Sequence, residues 1–277
     1  MGLVVLGIAL PAHGSVRPSP WSGGSERIVP FEALASRVAS SLAGRRVSIQ
    51  CVDPPKWRSL AAEHDFDSSN TWALTPLHWD STSRAAVADG HAYFSPRACR
   101  LADSFVTKPT EIGTRICRHG RRTRWETRAT GRRGESTTRR VPVRAPILGE
   151  CDDWGSKLLA VHVLSHESVH LAGVVDEEEA DCLAAQADAF VARALGADPR
   201  FARLLAREYW AQYYASQDQR YRSLRCHDGG KLDLVPMSKG WPTPAVYPSN
   251  FASRIRDFAT ASRVSAALAG RFTAPGA

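Results

Sequence analysis

The sequence predicts an α+β fold in a single domain, mixed in its first half and mainly helical in its second. Three observations carry this. With 277 residues, the chain is long enough for one sizeable hydrophobic core. Short apolar runs at Arg46 to Val52 and His91 to Ser95 alternate as strands do. From Ser156 onward, apolar residues recur at helical intervals between capping residues and terminal glycines.

Taken in order, Leu3 to Leu10 is an apolar run followed by Pro11, with Ala12 and Gly14 as small residues before a cut near Ser15. Residues 1–14 therefore read as a signal peptide and 15–29 as a Pro, Ser and Gly linker, leaving 30–277 as the folded domain. Pro30 opens a helix through Leu42 that Gly44 stops, and Arg46 to Val52 follows as a strand. A polar stretch with Pro54, Pro55 and several Trp and Asp residues follows, read as a connection rather than a regular element. Next come a short helix near Ser83 to Ala88, a strand at His91 to Ser95 and a helix from Arg97 to Phe105.

In the second half, Ser156 to Ala172 carries Leu158, Leu159, Val161, Leu164 and Val169 at helical spacing and ends at Gly173. Asp176, with Glu179 three residues on, caps a second helix that runs to Leu195. Asp198 and Pro199 start a third, bearing Phe201, Leu204, Leu205, Tyr209, Trp210 and Tyr213. Gly229 and Gly230 turn into an apolar strand at Leu232 to Val235, and Asn250 caps a terminal helix to Leu268.

Hydrophobic residues make up 43% and charged residues 23%, ordinary for a globular protein, and no apolar stretch of about 18 residues could span a bilayer. The net charge of +8 is local. Eleven arginines against Glu126 and Glu135 give residues 115–144 a charge of +9, and the rest of the chain about −1. That confinement argues against a nucleic-acid-binding protein. The basic segment, with its Gly, Ser and Thr, reads as a mobile loop inserted at about 108–147. An acidic cell-surface polymer is the partner it would suit.

Cys51, Cys99, Cys117, Cys151, Cys182 and Cys226 form an even set with no Cys-x-x-Cys pair, which favours disulfides and an oxidising compartment. Six cysteines permit 15 pairings. The positions of Cys182 in the second helix and Cys226 before the Leu232 segment predict one bond, and Cys117 with Cys151 would close the basic insertion.

The chemistry concentrates at His166-Glu167-Ser168-Val169-His170. Helical residues four apart lie one above the other, so His166 and His170 can present two imidazole nitrogens to one zinc ion per chain. Glu167 then stands beside the metal, placed to take a proton from a zinc-activated water and pass it to a leaving amine. A third ligand is available among Asp176, Glu177, Glu178 and Glu179. Glu177 is the choice, because it shares a helix face with Asp181, which can accept a hydrogen bond from the far nitrogen of a ligand histidine. Glu178 and Glu179 are rotated from that face by about 100° and 200°.

These residues resemble the zincin metallopeptidases, and within them the gluzincins, whose second helix supplies Glu in a Glu-x-x-x-Asp pattern matched by Glu177 to Asp181. The runs from His166 to Cys182 and from Cys226 to Leu234 also resemble a set of uncharacterised secreted bacterial proteins. The resemblance covers about Leu158 to Gln186. It implies a zincin-like domain with a mixed sheet packed on the HExxH helix, and secreted hydrolysis of peptide or protein substrates. A rival likeness exists. His166 through Asp176 also fits the pattern of the metzincin-like snapalysins, in which Asp176 would be the third ligand and a Met-containing turn, here Met237, would lie beneath the zinc. A reading from another class makes the chain a secreted surface-binding protein with a structural or silent zinc site and an Arg-rich attachment loop.

Several further residues have two readings. His162, one turn before His166, reads as a core histidine with structural partners rather than a cleft residue. Tyr209, Tyr213, Tyr214 and His227 are candidates to stabilise an oxyanion, although Tyr209, Trp210 and Tyr213 also read as helix packing. The strand at His91 to Ser95 is the candidate edge for an extended peptide.

Overall fold

A computed structural model of the chain describes residues 30–82, 85–107, 119–129, 136–146, 154–236, 238, 240–244 and 246–272. The expected leader and linker, Cys117, Cys151 and Met237 lie outside them.

The architecture is mixed α+β. Helix α1 (Pro30–Ala43) leads into β1 (Ser48–Cys51), α2 (Pro54–His64), β2 (Ala73–Leu74), β3 (Leu77–Asp80), β4 (Ala85–Ala88), β5 (His91–Phe94) and α3 (Pro96–Thr107). Two long strands follow, β6 (His119–Ala129) and β7 (Ser136–Pro146). The remainder is helical: α4 (Trp154–Leu171), α5 (Glu177–Ala194), α6 (Pro199–Gln212) and α7 (Phe251–Phe272).

The first half holds a three-stranded mixed sheet in the order β1-β5-β2. β5 runs parallel to β1, pairing Ser48 with His91, and antiparallel to β2, pairing Ala73 with Phe94. His91 to Ser95 is therefore the centre of this sheet, not the edge expected from its sequence. Edge and central strands share the same alternation, so only pairing distinguishes them. β2 is the edge strand next to α4.

Three other expectations are corrected. Pro54–His64 is a helix: the Asp53 carboxylate accepts from Lys56 N at 2.8 Å and Pro54 and Pro55 occupy its first turn. Residues 85–88 form a strand paired antiparallel with β3, because Ala88 and Leu77 meet across the ladder and both are buried. Leu232 to Val235 is a series of turns rather than a strand. Gln186 takes the place of a strand partner there, donating to Leu232 O and accepting from Leu234 N, each at 2.8 Å.

The basic insertion is not a plain loop either. Over His119–Ala129 and Ser136–Pro146 its backbone pairs as an antiparallel ladder, with Glu126 opposite Arg139 and Arg121 opposite Arg144. Thr and Val interleaved with Arg give these segments β propensity despite their charge.

A continuous hydrophobic cluster joins α1, the mixed sheet, α3 and the second-half helices. α4 runs through its centre, with Leu158, Val161, Val163, Leu164, Val169 and Leu171 all buried. Ser165 and Ser168 survive there because their hydroxyls donate back to Val161 O and Leu164 O, at 3.1 and 2.6 Å. α5 lies against it on a face rich in alanine, with Ala180, Ala184 and Ala187 buried, so the two helices can approach closely. Among the described residues two disulfides brace the ends: Cys51–Cys99 ties β1 to α3, and Cys182–Cys226 ties α5 to the late turns. Among the described residues, no helix is long and apolar enough to cross a membrane.

Candidate metal centre

Gly173, at φ 105°, ends α4 in the left-handed region, and the chain turns back within Val174, Val175 and Asp176. That short reversal is what brings the start of α5 beside His166 and His170. Asp176 caps α5, its Oδ1 accepting from Glu179 N at 2.9 Å. Glu177, the first residue of the helix, turns toward the histidines instead.

Three donor atoms converge there. His166 Nε2 lies 2.8 Å from His170 Nε2 and 3.0 Å from Glu177 Oε2, and His170 Nε2 lies 3.7 Å from the same oxygen. Ligand atoms at tetrahedral corners about 2.0–2.1 Å from a zinc ion are about 3.3 Å apart, inside this range. His170 donates from Nδ1 to Val174 O at 2.7 Å, which leaves its Nε2 with a lone pair. Glu177 Oε2 is buried without a hydrogen-bond partner although the residue as a whole is 16% exposed. An orphaned carboxylate oxygen aimed between two imidazole nitrogens fits a cation-binding set, and His166, His170 and Glu177 could hold a metal ion.

Glu167 is fully buried on the adjoining face. Its Oε2 accepts from Thr75 Oγ1 at 2.5 Å, while Oε1 has no hydrogen-bond partner. Burial pushes its carboxyl pKa above the ordinary value, against the pull of His166 and His170. For Glu177, burial pushes up too, but the attraction of the facing His166 and His170 rings outweighs it and holds the group well below the usual carboxylate range. At His166, burial disfavours the charged ring, yet Asp181 and Glu177 raise its pKa to about 10. Such a cluster of buried carboxylates demands a positive charge, supplied by protons or by a cation.

Asp181 stands behind His166, its Oδ1 3.6 Å from Nδ1. That oxygen accepts from His162 Nε2 at 3.0 Å, Tyr209 OH at 3.2 Å and Gln217 Nε2 at 3.3 Å. His162 also faces Asp188 through Nδ1, at 3.1 Å, so both of its ring nitrogens are spent on carboxylates. It lies beside the donor triangle as a structurally partnered core histidine, with no lone pair for a metal.

The oxyanion candidates separate. Tyr209 is buried, stacked on His162 with ring centroids 3.5 Å apart, and its hydroxyl is committed to Asp181. Tyr214 OH accepts from Ser223 N at 3.1 Å, and burial lifts its pKa to about 12. The Tyr213 hydroxyl lies against Gly155, and exposed His227 donates to Asp228 O at 2.9 Å. Instead Tyr221, unmarked by any sequence pattern, places its ring edge-on to His166 with centroids 6.4 Å apart. Thr75, Gln217 and Asp188 were likewise not singled out by the sequence; only Asp188 has a legible signal, seven residues beyond Asp181 on one helix face.

No known protein family, curated protein or solved structure matches this chain.

Proposed function

We propose that the chain is a secreted zinc-dependent peptidase in which His166, His170 and Glu177 hold one zinc ion and Glu167 is the general base. The observation that carries this reading is the convergence of His166 Nε2, His170 Nε2 and Glu177 Oε2 within 2.8 to 3.7 Å of one another beside the buried Glu167 carboxylate. Among the described residues, no fourth His, Cys, Asp or Glu joins that set. Three protein donors are the count of catalytic zinc sites, whereas structural sites use four. When bound, zinc supplies Lewis acidity, polarising a carbonyl and lowering the pKa of an adjacent water to about 7.

The chain's own residues do the rest. Glu167 follows His166 directly and is oriented by Thr75. In this reading it takes a proton from the attacking water and returns it to the departing amine. Asp181 favours the proton on His166 Nδ1, which turns the Nε2 lone pair toward the triangle. Asp176 is already committed to capping α5, which favours Glu177 over it as third ligand. Helix α4 with β2 of the mixed sheet beside it supports a zincin-like organisation. The two disulfides fit an oxidising compartment, and the basic β6–β7 hairpin suits an acidic cell-surface polymer.

The test is metal analysis and proteolysis on protein purified from an oxidising compartment. About one zinc per chain is expected, together with new termini in a peptide library read by mass spectrometry. Glu167→Gln should keep the zinc and lose at least about a hundredfold in hydrolysis. A folded protein that takes up no zinc and cuts nothing ends this reading. Unchanged activity in Glu167→Gln removes Glu167 from the chemistry.

A further inference from the structure

Histidines and acids face one another beyond the proposed ligands. On α4, His162, His166 and His170 recur every four residues, and on α5 Glu177, Asp181 and Asp188 follow at four and then seven. Both spacings keep side chains on one helix face. The helices meet so that Glu177 contacts His166 and His170, Asp181 sits between His166 and His162, and Asp188 contacts only His162 of the three.

The last rung needs its own explanation. His162 and Asp188 are 1% and 0% exposed, and neither belongs to the His166–His170–Glu177 triangle; His162 stands instead with His166 and Asp181 in a second close group of possible donors, where both of its ring nitrogens are already spent on carboxylates. Stability is a poor reason for them. A buried ion pair is often matched or bettered by apolar residues of similar volume, because desolvation offsets the attraction. What the rung does is fix Asp181. Tyr209 and Gln217 also donate to Asp181, but they are bonded to each other at 2.5 Å, whereas His162 is anchored to a second buried carboxylate and stacked on the Tyr209 ring.

We infer that His162 and Asp188 are positioning residues that set the metal affinity of the neighbouring site through Asp181. The inference rests on the reading of His166, His170 and Glu177 as metal ligands. With Asp188 accepting from Nδ1 and Asp181 from Nε2, the His162 ring is held at both ends. Asp181 is thereby held facing His166 Nδ1, and the His166 ring keeps the plane that presents Nε2 to the metal. Neutralising Asp188 releases one end of His162 and loosens the whole row, although Asp188 lies two side chains away from the nearest ligand.

The experiment measures zinc dissociation constants on the full chain by competition with a chelator, with tetrahedral cobalt absorption as a spectroscopic check. Asp188→Asn and His162→Gln should each weaken zinc binding about 10- to 100-fold, the usual effect of disturbing the outer groups that orient a ligand. Because Asp188 acts through His162, the double variant should be no worse than His162→Gln alone. Gln186→Met is the control for a merely structural role. It removes the buried side-chain hydrogen bonds of Gln186, including those that hold Leu232 and Leu234 to the same helix. It should lower the melting temperature yet keep zinc affinity within about twofold, the scatter expected of uncoupled sites.

Wild-type affinity in folded Asp188→Asn overturns the inference, as do losses that multiply in the double variant or an equal loss in Gln186→Met. Should Asp188→Asn fail to fold, wild-type zinc affinity in His162→Gln overturns it. A wild-type chain that takes up no zinc defeats the metal-site reading itself, a separate outcome.

Discussion

Glu167 and Glu177 carry the same functional group and are driven in opposite directions. Burial raises the pKa of Glu167, while two imidazoles pull that of Glu177 below the usual range. A ligand must stay ionised and a proton carrier must exchange, so the difference matches the roles proposed for them. Glu177→Gln should therefore cost zinc affinity and activity together. Asp176→Asn should cost neither, since Asn caps a helix about as well. Zinc stripped by Asp176→Asn and retained by Glu177→Gln would reverse the assignment. Thr75 adds a pH prediction. Its hydroxyl stabilises ionised Glu167, so Thr75→Val raises the Glu167 pKa and deprotonation then requires higher pH. The acid limb of the pH–rate profile should move toward neutral pH with little change at its plateau. An unmoved limb would show that Thr75 does not act on the base.

At the scale of elements, periodicity was legible and pairing was not. The caps and glycines bounding α1, α4, α5 and α6 are local, so Asp176, Asp198, Gly44 and Gly173 marked real ends. Asp53-Pro54-Pro55 is the same kind of signal as Asp198-Pro199, and it did start a helix. β4 was different, because Ala85 to Ala88 favours helix locally and becomes strand only through its partner β3. The basic segment became a hairpin for a similar reason. Its register puts Arg121, Arg140 and Arg144 with Trp125 at positions of one face, and Arg122, Arg124, Arg128 and Arg139 with Glu126 at the other. Replacing those seven arginines by Gln should abolish salt-sensitive retention on an acidic polymer and leave zinc content unchanged. Loss of the metal instead would make the hairpin part of the site's fold.

At the scale of the whole molecule, two cross-links among the described residues close the architecture around α4. Cys51–Cys99 and Cys182–Cys226 span 48 and 44 residues. Chain-entropy bookkeeping gives each about 4 kcal/mol relative to the unfolded chain. Peptide mapping without reduction should recover both pairs, and reduction should lower the melting temperature. Free thiols at Cys182 and Cys226 in the purified protein would contradict the pairing. The sequence by itself determined the helix ends, the histidine stripe of α4 and the acidic stripe of α5, because each depends on neighbours within two turns of one helix. Only tertiary structure decided which strand is central, that Cys51 pairs with Cys99, that Thr75 meets Glu167 from 92 residues away, and that Tyr221 rather than Tyr209 flanks His166, whereas the Cys182–Cys226 bond was already legible in the sequence. Those contacts join residues far apart in the chain, and their geometry follows from how the buried faces of separate elements fit together.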